Sequence, residues 1–255
     1  MSDSAASVGR FVWFDLVTSR VAESADFYER LFPTWKIDAE MNGDPLRKIR
    51  VEGRAIGAIR TAETSARGPY FRGYVTVNDV ATAGERIAAA GGLVVEGPSL
   101  LDGVGNFVVA TDPNGAIVAA ISTLEEIPEH SGPMPDGAFC WQEVLAKTPD
   151  KLAAFYVAVF GWSHTSVPTP MGPYHLFRRG ERDAAGMMPM PESAGGAPVW
   201  LAYVYASDIE GTQAKLSELG GTVHRPVSQV PGIGQFAVVS DRFGAMFCLF
   251  RSERG

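Results

Sequence analysis

Two carboxylates stand where carboxylates are rare. Asp15 lies in the run Phe11-Val12-Trp13-Phe14-Asp15-Leu16 and Glu143 in Phe139-Cys140-Trp141-Gln142-Glu143-Val144, both largely apolar segments of strand character. Burying a carboxylate in such a strand costs several kcal/mol unless it finds a partner. That partner is either a structural arginine or backbone amide, or a ligand, for which the carboxylate acts as general base or orients a hydroxyl. In each run a tryptophan precedes the carboxylate by two residues, Trp13 and Trp141, so the two side chains leave the strand on one face. Phe11 and Phe139 share that face by the same count. Val12, Phe14 and Leu16 form the opposite set, expected to pack on a helix.

A second pair of strands supplies more polar and aromatic groups. Arg72, Tyr74 and Thr76 share one face of their strand, and Leu201, Tyr203 and Tyr205 share the corresponding one. Rings stacked on Trp or Tyr gain about 0.5 to 1.5 kcal/mol beyond area burial, which favours an aromatic or conjugated ligand. Arg72 either holds a carboxylate or oxyanion of that ligand or neutralises Asp15. Tyr74, Tyr203 and Tyr205 are candidate acids beside the two carboxylates, and Met187, Met188 and Met190 offer adaptable apolar surface. His164 and His175, on or near neighbouring strands, are the residues that could join Glu143 in a displaced metal site.

Other chemistries lack their residues. There is no phosphate-binding glycine loop followed by Lys-Ser or Lys-Thr, no Gly-x-Ser-x-Gly elbow and no paired-cysteine knuckle. Net charge is −7 over 255 residues without clustered lysines, which argues against nucleic acid as a partner. The longest nearly unbroken apolar stretch, Ala116 to Ile121, is far below the ~20 residues of a membrane span. With two cysteines and a small, polar start lacking a secretory pattern, a cytoplasmic protein without disulfides is expected.

The elements that position these residues are written twice. Phe27-Tyr28 returns as Phe155-Tyr156 at a separation of 128, and Asp112 with Gly115 returns as Asp241 with Gly244 at 129. Each half reads strand, helix and three short strands, followed by a second such unit. The first helix is expected after Thr18 or Ser19 as cap, and its counterpart after Thr148 with Pro149 in the first turn. Short strands are expected near 35–41, 46–51 and 55–60, then near 162–167, 174–179 and 183–188. A further strand begins at Arg72, its helix capped by Asn78 or Asp79 and stopped by Gly91-Gly92, and Asp112-Pro113-Asn114-Gly115 turns a hairpin. Pro128, Gly132, Pro133, Pro135 and Gly137 mark a linker. The domains are thus expected at 9–125 and 138–252, joined by 126–137.

The order of these signals resembles the glyoxalase, bleomycin-resistance and extradiol-dioxygenase superfamily, also called vicinal oxygen chelate proteins. It rests on Phe155-Tyr156 then Phe160-Gly161-Trp162, on a strand running into Asn78-Asp79 or Ser207-Asp208, and on Asp112-Pro113-Asn114-Gly115 before a last strand; Phe32-Pro33-Thr34-Trp35 departs from the pattern. The resemblance implies an α+β chain of two tandem domains. Each would hold two βαβββ units whose curved mixed sheet forms a cup with helices outside, and the small molecule would sit in the cup. It also places metal ligands at Trp13, Arg72 and Ala119, then at Trp141, Leu201 and Cys248. Trp, Arg, Ala and Leu donate no suitable lone pair, and a lone Cys248 makes no site, so neither metal nor other cofactor is expected.

The expectation is therefore a small-molecule binding protein, with Trp13, Arg72, Tyr74, Trp141, Leu201, Tyr203, Tyr205 and Cys248 lining the ligand. The alternative is a metal-independent lyase, isomerase or natural-product tailoring enzyme using Asp15 or Glu143 as acid or base. A third reading is a metal-dependent glyoxalase or dioxygenase with displaced ligands. The chain would act as a monomer of two pseudo-symmetric domains or as a weak homodimer.

Overall fold

The computed structural model describes residues 8–39, 46–61, 68–169, 172–191 and 197–253. The first half contains β1 (Phe11–Thr18), α1 (Val21–Leu31), β2 (Trp35–Ile37), β3 (Leu46–Val51) and β4 (Arg54–Thr61). These are followed by β5 (Tyr70–Thr76), α2 (Val80–Ala89), β6 (Leu93–Leu101), β7 (Gly105–Thr111) and β8 (Ile117–Thr123). The second half repeats them as β9 (Phe139–Ala146), α3 (Pro149–Phe160), β10 (Ser163–Thr169), β11 (Gly172–Arg179) and β12 (Arg182–Pro189). It ends with β13 (Val199–Tyr205), α4 (Ile209–Glu218), β14 (Thr222–Val230), β15 (Gly234–Ser240) and β16 (Met246–Ser252). The expected strand at 35–41 is shorter, and its positions 40 and 41 lie outside the described residues.

Each half makes one eight-stranded mixed sheet, in the orders β2-β3-β4-β1-β5-β8-β7-β6 and β10-β11-β12-β9-β13-β16-β15-β14. The chain is thus α+β with two tandem domains. Within every βαβββ module the first and last strands pair in parallel, as in Phe14 opposite Gly57 and Glu143 opposite Gly186, which requires a long return connection. The other neighbours inside each module are antiparallel hairpins, including β7 with β8 across the Asp112 turn.

Local signals explain the helix ends. Asp79 caps α2 by accepting from the Thr82 amide at 2.7 Å, and Asp208 caps α4 by accepting from the Gly211 amide at 3.0 Å. α3 begins as expected with Thr148 before Pro149, but the Thr148 hydroxyl accepts from the Asn114 side chain instead of capping the helix. The cap of α1 is corrected: Arg20 holds the position, and Thr18 Oγ1 accepts from the Arg20 amide before the helix begins. Gly161 ends α3 in the left-handed region at φ 70°, where Phe-Gly-Trp supplies the residue free of a Cβ penalty; α1, lacking that glycine, ends on an extended Phe32.

Packing groups the chain into two compact units, each drawing a module from each half. One comprises Met1–Trp13, Gly73–Glu129 and Trp141–Trp200; the other comprises Phe14–Arg72, His130–Cys140 and Leu201–Gly255. In the first, Val80, Ala83 and Ile87 of α2 share a core with Leu152, Phe155, Tyr156 and Val159 of α3. In the second, Ala25, Phe27, Tyr28 and Leu31 of α1 share one with Ile209 and Leu216 of α4.

Within each unit the repeat motifs join the two modules to each other. Tyr156 donates to Asp112 Oδ2 and accepts from the Trp200 indole; in the other unit Tyr28 donates to Asp241 Oδ2. Likewise Trp162 Nε1 donates to the Gly9 carbonyl and Trp35 Nε1 to the Gly137 carbonyl, both at 2.8 Å. The strand-face assignment of two phenylalanines changes accordingly. Phe11 packs against Trp162 and Trp200, and Phe139 against Trp35 and Phe71, so both belong to the aromatic cores.

Candidate functional site

In the first unit, β9, β11 and β12 bring together Trp141, Glu143 and Tyr174. The Trp141 indole N–H donates to the Tyr174 hydroxyl at 3.1 Å, and that hydroxyl in turn hydrogen-bonds Glu143. Burial first, and the Glu143 charge second, hold the Tyr174 phenol far above its ordinary value, so it remains a donor at any physiological pH. Glu143 is 6% exposed and sits opposite Gly186. A Cβ at Gly186 would stand 2.0 Å from the Tyr174 oxygen and 3.2 Å from the Trp141 Nε1, so the glycine vacates the volume in which tyrosine and tryptophan meet. Trp141 itself is only half-buried. The arrangement presents an aromatic edge beside a carboxylate whose orientation a fixed phenol O–H controls.

In the second unit the corresponding carboxylate has a different fate. Asp15, fully buried, meets Arg72 Nη2 at 3.1 Å and Arg60 Nε at 3.2 Å, both through Oδ2. Of the two roles open to Arg72, neutralising Asp15 is the one its geometry performs. Two guanidiniums on one buried carboxylate make a structural ion pair, so the Asp15 side chain is already engaged within the protein.

The other expected lining residues divide between the units. In the first, Trp13 and Tyr74 are 2% and 0% exposed, Tyr74 lying edge-on to Phe107. In the second, Leu201, Tyr203 and Cys248 are 2%, 8% and 0% exposed, with Tyr203 opposite Cys248 in the sheet, while Tyr205 is half-buried. Cys140 donates weakly to the Tyr203 carbonyl, and burial pushes its thiol up to about 12, which removes it as a nucleophile.

Two expectations about the second half are corrected, the histidine pair beside Glu143 and Met187 as lining. Tyr174 and His175 are consecutive on β11, so their side chains leave opposite faces, and only Tyr174 reaches Glu143. His175 instead meets His164 (Nδ1 to Nε2, 2.8 Å), and the His164 ring lies 5.5 Å from Phe177 of the helix-side core. Burial and then the His164 charge lower the His175 pKa, against a smaller opposing pull from Asp150. Met187 is fully buried in that core rather than adaptable lining, leaving Met188 and Met190 half-buried.

The residues at the expected chelation slots do not fit a divalent cation. Arg72 places a guanidinium there, engaged by Asp15; Trp13, Ala119, Trp141 and Leu201 bring no lone pair; Cys248 is buried opposite Tyr203. Among the described residues no three His, Cys, Asp or Glu side chains converge.

Tyr174 and Arg60 were not singled out by the sequence. Their signal is parity: each alternates with a core residue, Tyr174 with His175 and Phe177, Arg60 with Ile59, but parity cannot say which carboxylate lies across the sheet.

A glyoxalase-like domain model matches residues 140–250. CFP32 of Mycobacterium tuberculosis (strain CDC 1551 / Oshkosh), named as a candidate glyoxylase, is 31% identical over 252 residues, covering 94% of this chain and 93% of its own length. The anthracycline biosynthesis protein DnrV of Streptomyces peucetius is 26% identical over 263 residues, covering 97% and 94%. Among solved structures, the Mn(II)-bound glyoxalase from Novosphingobium aromaticivorans is similar at a TM-score of 0.68 and 12% identity, over 95% of this chain and 82% of that one. The 2,2',3-trihydroxybiphenyl 1,2-dioxygenase from Sphingomonas wittichii strain RW1 gives 0.67 at 13% identity, over 96% and 90%. At such identities the structural likeness is one of fold.

Proposed function

Because this chain belongs to the glyoxalase-like, vicinal oxygen chelate superfamily as a tandem two-domain member, we propose that it is a small-molecule binding protein whose aromatic or conjugated ligand stacks on Trp141. The observation that carries the reading is the contrast between the two tryptophans of the repeat: Trp13 is 2% exposed, whereas Trp141 is half-buried and oriented through Tyr174 beside Glu143. A preset indole edge costs the ligand little ordering and gains stacking energy. Glu143 then accepts a hydrogen bond from a ligand hydroxyl. Chelation chemistry is no part of this reading, since the slots hold no suitable donor set.

A second reading is favoured by the Tyr174–Glu143 contact and by relatives named for anthracycline biosynthesis. In it, Glu143 removes a proton from a ligand O–H or acidic C–H and returns it to a neighbouring atom. The reaction is an isomerisation that needs no co-reactant, and Tyr174 keeps the carboxylate aimed.

Titrating aromatic compounds against intrinsic fluorescence tests the first reading. Saturable quenching is expected, with Trp141→Ala weakening binding by about 1 to 3 kcal/mol. Unchanged affinity in Trp141→Ala, with a lowered melting temperature, would make the indole a packing residue and remove the site. Glu143→Gln separates the two readings: a binding module keeps most of its affinity, whereas a proton-transfer catalyst loses roughly 10²-fold or more in turnover while still binding.

A further inference from the structure

A separate groove of the first unit, about 910 Å³ in volume, gathers arginines around one carboxylate of the inter-sheet linker. Glu129 lies in a stretch without helix or strand, yet both its oxygens are engaged. Oε1 meets Arg179 and, at 3.9 Å, Arg10; Oε2 meets Arg182; and Arg10 also donates to the Ile127 carbonyl. The side chains of Arg10 and Arg179 are only 16% and 14% exposed, and Glu129 is 34% exposed. Over its whole lining the groove carries four arginines, Arg86 being the fourth, against three glutamates, and apolar wall from Ile127 and Phe160.

Several guanidiniums converging on both oxygens of one carboxylate are a geometry by which proteins recognise carboxylate and phosphate groups. Arginines withdrawn this far from water require an anion beside them, and here the linker supplies it from the chain itself. The volume falls within the ~300–1,000 Å³ of small-molecule sites. The geometry points to an anion-binding site, distinct from Trp141, in which Glu129 is the resident occupant and competes with a small organic anion bearing a carboxylate or phosphate and a short apolar body. The anionic group takes the place of the Glu129 carboxylate among Arg10, Arg179 and Arg182, and the body lies against Ile127 and Phe160.

The test uses phenyl phosphate and isothermal titration calorimetry on the full chain. Glu129→Gln, close in size but uncharged, is expected to bind one equivalent at least tenfold more tightly than the unmodified protein. Adding Arg182→Gln, whose side chain is 66% exposed and so of little weight in folding, should reverse most of that gain. Added salt should weaken the binding, and Trp141→Ala should leave it unchanged. If Glu129→Gln loses its fold, Glu129→Asp keeps the charge but retracts it by one methylene, and the same ordering is expected. Equal affinity with and without the Glu129 change, or binding indifferent to Arg182→Gln, would overturn the proposal and leave Glu129 a structural counter-ion. Loss of binding in Trp141→Ala would place the probe at the other site and also overturn it.

Discussion

The hydroxyl of Tyr156 donates a 2.6 Å hydrogen bond to Asp112 Oδ2, and the repeat reproduces the contact as Tyr28 to Asp241 at 3.1 Å. Each bond joins the Phe-Tyr helix of one half to the hairpin turn of the other. The aspartate is doubly used, since Asp112 Oδ1 also accepts from the amides of Asn114 and Ala116 and Asp241 Oδ1 from those of Phe243 and Ala245. Burial raises both carboxyl pKa values despite these donors, and it raises the two phenols further.

Removing one of these hydroxyls leaves a buried carboxylate short of a donor. Tyr156→Phe is expected to cost about 1 to 3 kcal/mol, read as a lower urea midpoint at unchanged slope. The loss should shrink in Tyr156→Phe/Asp112→Asn, where the charge is gone. A fully additive double variant would show that the two groups do not interact.

Alkaline pH should unfold the protein cooperatively. Tyr28, Tyr156 and Tyr174 have folded-state pKa values raised above 10.0, so they stay protonated in the fold while the unfolded chain releases its protons. Their contribution is intact below pH ~10 and is lost above it, at about 1.4 kcal/mol per pH unit for each phenol. Phenolate absorbance and loss of circular dichroism should therefore rise together for these residues. Ionisation of all seven tyrosines before any unfolding would contradict their burial.

Gly186→Ala should disturb the Trp141 site without straining the backbone. Its Cβ would fall 2.0 Å from the Tyr174 oxygen, forcing the phenol off Trp141 and Glu143. An overpacking cost of about 1 to 3 kcal/mol is expected, with altered Trp141 fluorescence. Tyr174→Phe in the same chain should recover part of the stability, because it removes the atom that collides. No recovery would mean that the crowding comes from elsewhere.

Asp15→Asn should be more damaging than Glu143→Gln. It leaves Arg60 and Arg72 without the buried charge they share, a loss of about 3 to 5 kcal/mol, whereas Glu143 keeps hydrogen-bonding capacity toward Tyr174 as an amide. Paired denaturation curves decide the order, and a smaller effect at Asp15 would show its ion pair to be dispensable.

The sequence by itself determined the repeat, the four βαβββ modules and the family. These rest on local signals: alternation over Phe11–Thr18, the Thr148-Pro149 helix start, Asp79 as cap and the Asp112-Pro113-Asn114-Gly115 turn, each acting within a few residues. It also marked Asp15 and Glu143 as carboxylates in need of partners, because alternation alone puts them inside. Which partners they have was decided by tertiary structure. Arg60 and Arg72 reach Asp15 while Tyr174 reaches Glu143 because strand register brings particular positions of β4, β5 and β11 beside them, and register is a long-range property. The same holds for packing: Tyr28 and Tyr156 each find their aspartate in the opposite half, 213 and 44 residues away, and only the assembled cores bring such distant residues within a hydrogen bond.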